Sequence, residues 1–280
     1  MPRMKAGNAH GLQPLSAELF SHMVRKGLKH LQKAHEQCQR SATMENVHRM
    51  RKAIRHVRTL LDICGNWEKG DRWRELHERI RQLLHALGPL RDLHVRIETL
   101  RVLVKRQPAL SPMLRRAEKE EREERAAVSE LMAKMELPEL GALRRRLRRS
   151  RKGGPPRPAL MRTIASDTRE VRVRWKAMRA KDPRSMHRAR VALRRSAHLL
   201  TTMAPYLRPE FVAALPALKR MQEQLGRAHD MRLLLDWTAS VLMKLPAAHR
   251  TAVVAFLDRS LHLLDKRAAA FLREHPEPGL

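Results

Sequence analysis

Fifteen residues, VHRMRKAIRHVRTLL (Val47 to Leu61), hold seven basic or histidine side chains and no acid. Their pattern returns at MHRARVALRRSAHLL (Met186 to Leu200). On a helix, Val47, Met50, Ile54, Val57 and Leu61 form one apolar stripe, and His48, Arg51, Arg55 and Arg58 form a second stripe rotated by roughly 100°. In the second copy Met186, Ala189, Leu193 and Leu200 give the apolar row, and His187, Arg190 and Arg194 the cationic one. A cationic row bordering a buried face suits oxyanions, because forked guanidinium donors grip paired oxygens. Successive turns advance about 5 Å along the axis, which matches an extended chain of charges better than one small ion. No Asp or Glu lies between Glu45 and Asp62, or between Asp182 and Glu210. Like charges three or four residues apart cost roughly 0.2 to 0.5 kcal/mol per pair, so a repulsion kept twice points to an anionic ligand. His48 and His187 open the rows. Beside so many cations an imidazole favours its neutral form until a polyanion binds, and it can then donate to phosphate.

The whole composition leans the same way. Lys and Arg total 59 against 29 acids, a formal charge of +30 over 280 residues, far beyond what solubility needs. Arg outnumbers Lys 44 to 15, which favours planar donors over compact ammonium charges. A hydrophobic content of 42% is enough to bury a real core. Cys38 and Cys64 lie inside helical patterns with no CxxC spacing, so they are expected to be free core thiols, not a zinc ribbon or a disulfide framework. The N-terminus lacks a sustained apolar stretch of signal-peptide length, and AVVAFL (Ala252 to Leu257) is too short to span a bilayer. The expected location is cytoplasmic, without membrane insertion.

Elements able to position the two rows follow from Pro, Gly and the apolar period. Residues 1–14 read as a disordered lead. Ser16 is placed to cap a helix running to about Arg40. Helices are predicted over 44–64, 71–86 and from Gly88–Pro89 to Lys105, since Pro suits a first turn. Pro108 and Pro112 separate that helix from a charged one over 113–135, whose RRAEKEEREERAAVSE pairs acids with arginines as a solvated face. The basic run LRRRLRRSRK (Leu143 to Lys152) leads into GGPPRP (Gly153 to Pro158), a break for any helix. Further helices are predicted over 159–180, 184–203, 208–225, 227–244 and 247–274, with no strand. The fold is therefore expected to be all-α, with a first bundle over 15–152, a linker at 153–158 and a second bundle over 159–280.

A second motif repeats as well. LGPLRDLHV (Leu87 to Val95) answers to LGRAHDMRL (Leu225 to Leu233) at an offset of 138, and the His/Arg helices repeat at 139. Near-constant offsets across two motifs argue for internal duplication. Gly88 and Gly226 are expected to permit close helix approach, and Asp92 and Asp230 to act as supports, Asp92 orienting Arg91. Arg81 and Lys219 correspond upstream. His229 stands where Arg91 stood.

H-x-x-R with further bases, followed by LG-x-x-x-D and occurring twice in an all-helical chain, resembles the CHAD family, the conserved histidine α-helical domain. The resemblance spans roughly Ser16 to Arg273. It implies two pseudo-symmetric four-helix bundles with a basic groove or pore that binds inorganic polyphosphate, often at intracellular polyphosphate granules. Carried over, the family's basic positions fall on His48, Arg51, Arg55, Arg58, Arg81 and Arg91, and on His187, Arg190, Arg194, Arg195 and Lys219. Lys52 completes the candidate set. His56 in place of a second Arg, Ala197 opposite Arg58 and His229 opposite Arg91 depart from it, so the two halves need not contribute equally. Enzymes of polyphosphate metabolism are further candidate partners.

Rival chemistries find less in the sequence. Nucleic acid shares the phosphate backbone. Yet only nine Phe, Trp and Tyr occur and none lies in either row, so stacking platforms for single strands are missing, and duplex binding through backbone contacts stays as the alternative. Metal-hydrolase spacings such as HExxH are absent. Glu45-x-x-His48 has di-iron spacing, but Arg184 replaces the Glu in the second copy. No nucleophile and base pair stands apart and no acidic cluster is set to hold magnesium. The expectation is a non-catalytic binding module without a cofactor.

Overall fold

The computed structural model describes residues 14–67, 71–134, 156–180 and 182–277. The lead up to residue 13, the run Leu143 to Lys152 and residues 153–155 of the expected linker lie outside them. In the first half α1 is Ala17–Arg40, α2 Met44–Trp67, α3 Asp71–Ala86, α4 Gly88–Arg106 and α5 Ser111–Lys134. In the second, α6 is Arg157–Lys176, α7 Pro183–Met203, α8 Pro209–Ala213, α9 Leu215–Val241 and α10 Ala247–Glu274. Among the described residues there is no strand, and no helix is long and apolar enough to cross a membrane.

Local chemistry sets most of the boundaries. Ser16 caps α1, its hydroxyl accepting from the Leu19 amide at 3.1 Å. Asp182 caps α7 through the Arg184 amide at 3.0 Å, and Pro183 fills the first turn behind it. Pro112 likewise stands in the first turn of α5. The prediction fails at Gly226, where a break was expected between 208–225 and 227–244. A single helix, α9, runs straight through it. One glycine costs a helix interior only about 1 kcal/mol, and Leu218, Met221, Leu225, Leu234 and Leu235 bury the helix on both sides of it. The first copy has Pro89 where the second has Arg227, and Pro has no amide to donate. α3 and α4 part there, although Leu87 still donates to Leu83 at 3.1 Å and Arg91 to Leu87 at 3.3 Å. They are one helix interrupted, the counterpart of α9.

Two hydrophobic cores result, and neither stays on one side of the joint at 153–158. The larger joins α1, α2 and α3 to α6, α7 and the first half of α9, with Val128 and Met132 from the end of α5 and Phe271 from α10. The smaller is made by Ile97 and Leu100 of α4, Leu110, Met113 and Ala117, Leu234 and Leu235 of α9, and Leu245, Val253, Phe256 and Leu257. The two cores therefore do not divide at 153–158, and their side chains sort according to position within the repeat. The cause is length. α9, 27 residues long, outruns its partner α7 and must bury its far end against α4, α5 and α10.

Charge is sorted too. The acids of α5 do not simply face water. Glu118 accepts from Arg101 at 3.0 Å, and Glu121 lies 3.2 Å from the buried His94. Glu120 accepts from Trp237 Nε1 at 2.8 Å, while Arg96 stacks on the Trp237 ring at 4.5 Å. Cys38 and Cys64 are free and buried, as expected.

The close helix approach expected at Gly88 and Gly226 is found at neither, since a Cβ at either position would meet open space. It occurs at Gly27, where a Cβ would lie 3.2 Å from Leu60 and 3.3 Å from His56. Gly27→Leu should therefore wedge α1 from α2 and destabilise the fold by about 1–3 kcal/mol. Urea unfolding followed by circular dichroism measures this, and Gly226→Ala, which meets no neighbour, should be neutral or stabilising.

Candidate functional site

α2 packs between α1 and α6, and α7 between α6 and α9, which turns the cationic edges of α2 and α7 toward one another. Between them lies a cavity of about 320 Å³ lined by Arg55, Arg58, Thr59, His187, Arg188, Arg194, Arg195 and His198, with Arg174 from α6. Thr59 and His198 occupy matching places in the two repeats, as do Arg55 and Arg194. The cavity sits on the seam of the duplication.

The guanidinium groups act on one another across this seam. Burial followed by the charges of Arg190, Arg55, Arg51 and Arg58 pushes Arg194 down to about 9. Arg51 falls to about 10, by burial and then by Arg55, with Arg91 and Arg190 adding to the effect and Asp92 opposing it. Burial, Arg91 and Arg190 lower Arg55 as well. All three remain cationic at neutral pH. Arg51 donates from Nη1 to the Leu84 carbonyl at 3.0 Å, at the negative C-terminal end of α3. The Nε groups of Arg58, Arg190 and Arg195 are buried with no hydrogen-bond partner among the described residues. Buried donors in that condition are costly, and a bound oxyanion would satisfy them.

The carboxylates nearby leave much of this charge uncompensated. Of the two lining the cavity, Glu170 accepts from Arg174 at 2.7 Å and Asp62 faces His77 at 3.0 Å. Asp167 is spent on Arg195. Asp230 acts on Arg190 but is itself pushed up, by burial foremost. Asp92 acts on Arg51 and Arg190. Its expected role of orienting Arg91 gives way to an influence on both rows, while Arg91 lies 3.8 Å from Glu98. Asp92 and Asp230 thus support the arginines from matching positions.

The sequence matches the family described as CHAD domain over residues 22–177 and again over 162–275. The chain belongs to the CHAD family. A crystal structure of the CHAD domain from the plant Ricinus communis is similar to it with a TM-score of 0.70 at 20% identity, over 97% of this chain and 96% of that one. PptA from Streptomyces chartreusis is similar with a TM-score of 0.68 at 11% identity, over 95% of this chain and all of that one. No curated protein matches the chain. The overlapping double match follows the duplication seen in the helices.

Of the residues that the CHAD pattern selected, Arg55, Arg58, His187, Arg194 and Arg195 line the cavity, and Arg51 and Arg190 stand beside it, close enough for their charges to act on Arg194. Arg91 joins them, for its charge bears on His48, Arg51 and Arg55. His48 and Lys52 are exposed and do not line the cavity. Arg81 does not line the cavity; it is exposed on α3 and holds Glu78 at 2.7 and 2.8 Å. Lys219, exposed on α9, does not line it either. Sequence reasoning missed His198, although it continues His187, Arg190 and Arg194 by one more turn of the same face. It also missed Arg188, although it repeats Arg49 at the same offset, and Arg174 of α6, which lies outside both repeated motifs. Glu45, the partner of His48 at di-iron spacing, is taken by Arg49.

Histidines report the potential of the seam. Burial and then His56, Arg55, Lys52 and Arg194 push His198 down to about 4. His229 packs its ring 4.7 Å from that of His187 and falls to about 3 through burial, Arg190, His187 and Arg194. The unfolded chain takes up these protons near pH 6.5 and the folded one only near 4 and 3, so stability should decline as pH drops below about 6.5. Histidine ring titration by NMR should find both residues neutral at pH 5. Arg194→Gln should raise both values, because it removes a cation acting on each; unmoved values would mean that burial alone sets them.

Proposed function

We propose that this protein binds inorganic polyphosphate non-catalytically in the cradle between α2 and α7, as a means of associating with polyphosphate granules. The observation that carries the reading is the convergence of two acid-free arginine rows, one from each repeat, on a cavity at which the Nε groups of Arg58 and Arg195, and of Arg190 beside it, have no partner among the described residues. A row of forks at helical spacing tracks a chain of phosphates, and partial burial strengthens each charge-assisted bond relative to water. Membership of the CHAD family supports the same ligand. Nothing in the cradle asks for a cofactor: its side chains supply donors and charge, and the chemistry is recognition.

Long-chain polyphosphate should outcompete duplex DNA at equal phosphate concentration and fixed salt, and a preference for DNA would replace this reading with phosphate-backbone binding of nucleic acid. Affinity should fall steeply with added salt as condensed counterions are released. Arg51→Glu combined with Arg190→Glu should weaken polyphosphate binding at least about a hundredfold, since each charged hydrogen bond lost costs about 1.5–3 kcal/mol. Helical content should be unchanged by circular dichroism. Retained affinity in that variant would move the site elsewhere on the molecule.

A further inference from the structure

A second set of bases lies in the groove between α1 and α2, beyond the cradle. Lys26, His30 and Lys33 share one face of α1, and Arg49, Lys52 and His56 share one face of α2. With His198 of α7 they line a cavity of about 720 Å³ in which no carboxylate takes part among the described residues. Lys26, His30, Lys33 and Lys52 are exposed, while Arg49 is held by Glu45. Flexible ammonium groups dominate here, in contrast to the ordered guanidinium forks of the cradle, and they suit phosphate held by charge more than by geometry.

The groove and the cradle meet at one place. His198 lines both cavities. Its ring stands edge-on to that of His56, with 6.1 Å between centroids, and its Nε2 is buried without a hydrogen-bond partner among the described residues. His56 itself is fixed at the close approach of the two helices over Gly27. The two imidazoles form a shared wall, with Lys26 and His30 bearing on His56 from the groove side and Arg55 and Arg194 on His198 from the cradle side.

We propose that the α1–α2 groove is the second stretch of one phosphate track, into which a polyphosphate chain too long for the cradle continues past His56 and His198, so that the protein favours long chains over short ones. This rests on the polyphosphate reading given above. The test is Lys26→Glu with Lys33→Glu in the full chain, and as a control Lys105→Glu with Arg106→Glu, two exposed bases at the end of α4 that line neither cavity. Binding is measured with long-chain polyphosphate and with tripolyphosphate, which reports the cradle alone. The groove variant should lose roughly tenfold in affinity for the long chain, with a salt slope shallower by roughly one and a half for the two contacts removed. Its tripolyphosphate affinity should stay at the wild-type value, and the control should leave both ligands unaffected. No loss, an equal loss for both ligands, or a matching loss in the control would overturn the track. Failure of the wild-type protein to bind either polyphosphate would instead remove the underlying reading, and the track with it.

Discussion

Mutual repulsion among arginines, held in a partly buried seam, is the constraint around which this molecule is organised. Arg55 and Arg190 lower the tendency of Arg51 to carry charge, Arg190 that of Arg55, and all three that of Arg194, while burial removes much of the water that would screen them. Such an arrangement persists only if the surrounding packing fixes it. α2 and α7 supply that rigidity. Val47, Met50, Ile54 and Val57 are fully buried on one helix, and Ala189, Leu193 and Leu200 nearly so on the other. Both rows are therefore anchored by apolar faces that cannot rotate away without opening the larger core.

The distribution of acids follows from this. The pairs formed by Glu118, Glu120 and Glu121 lie on α5, engaging Arg101, Arg96, Arg116, Arg125 and His94. The more exposed of these, such as Arg101 with Glu118, add little to stability. At the seam Asp62, Asp167 and Glu170 are engaged by His77, Arg195 and Arg174, while Asp92 and Asp230 stand at matching positions, and burial and the neighbouring Asp92 hold Asp230 above its ordinary value. A free anion meets donors there that no resident carboxylate has satisfied.

Much of this was legible before any coordinates. The apolar and cationic stripes of Val47–Leu61 and Met186–Leu200 are local properties of a helix, so sequence period alone gave both the rows and their bordering of the core. Caps and prolines gave most boundaries for the same reason. What escaped depends on tertiary partners. Gly226 resembles a stop signal, and only its neighbours' burial carries α9 through it. Gly27 has no local signature, since the approach it permits belongs to the crossing of α1 and α2. Arg81 matched the family pattern in sequence, yet its place on α3 gives it to Glu78. The partition of the core was hidden as well, because a helical period shows which face is buried and not which helix buries it.

That partition has an evolutionary consequence. A polypeptide with one repeat would hold half of each core, with the apolar faces of its first and last helices left open to water. Two such chains could close both by exchanging contacts about a twofold axis. The seam would then lie on that axis, as a boundary between identical subunits. Joining the two copies into one chain removes the concentration dependence of that assembly and frees the copies to diverge. His229 opposite Arg91, and Ala197 opposite Arg58, are asymmetries that an obligate symmetric pair could not have acquired.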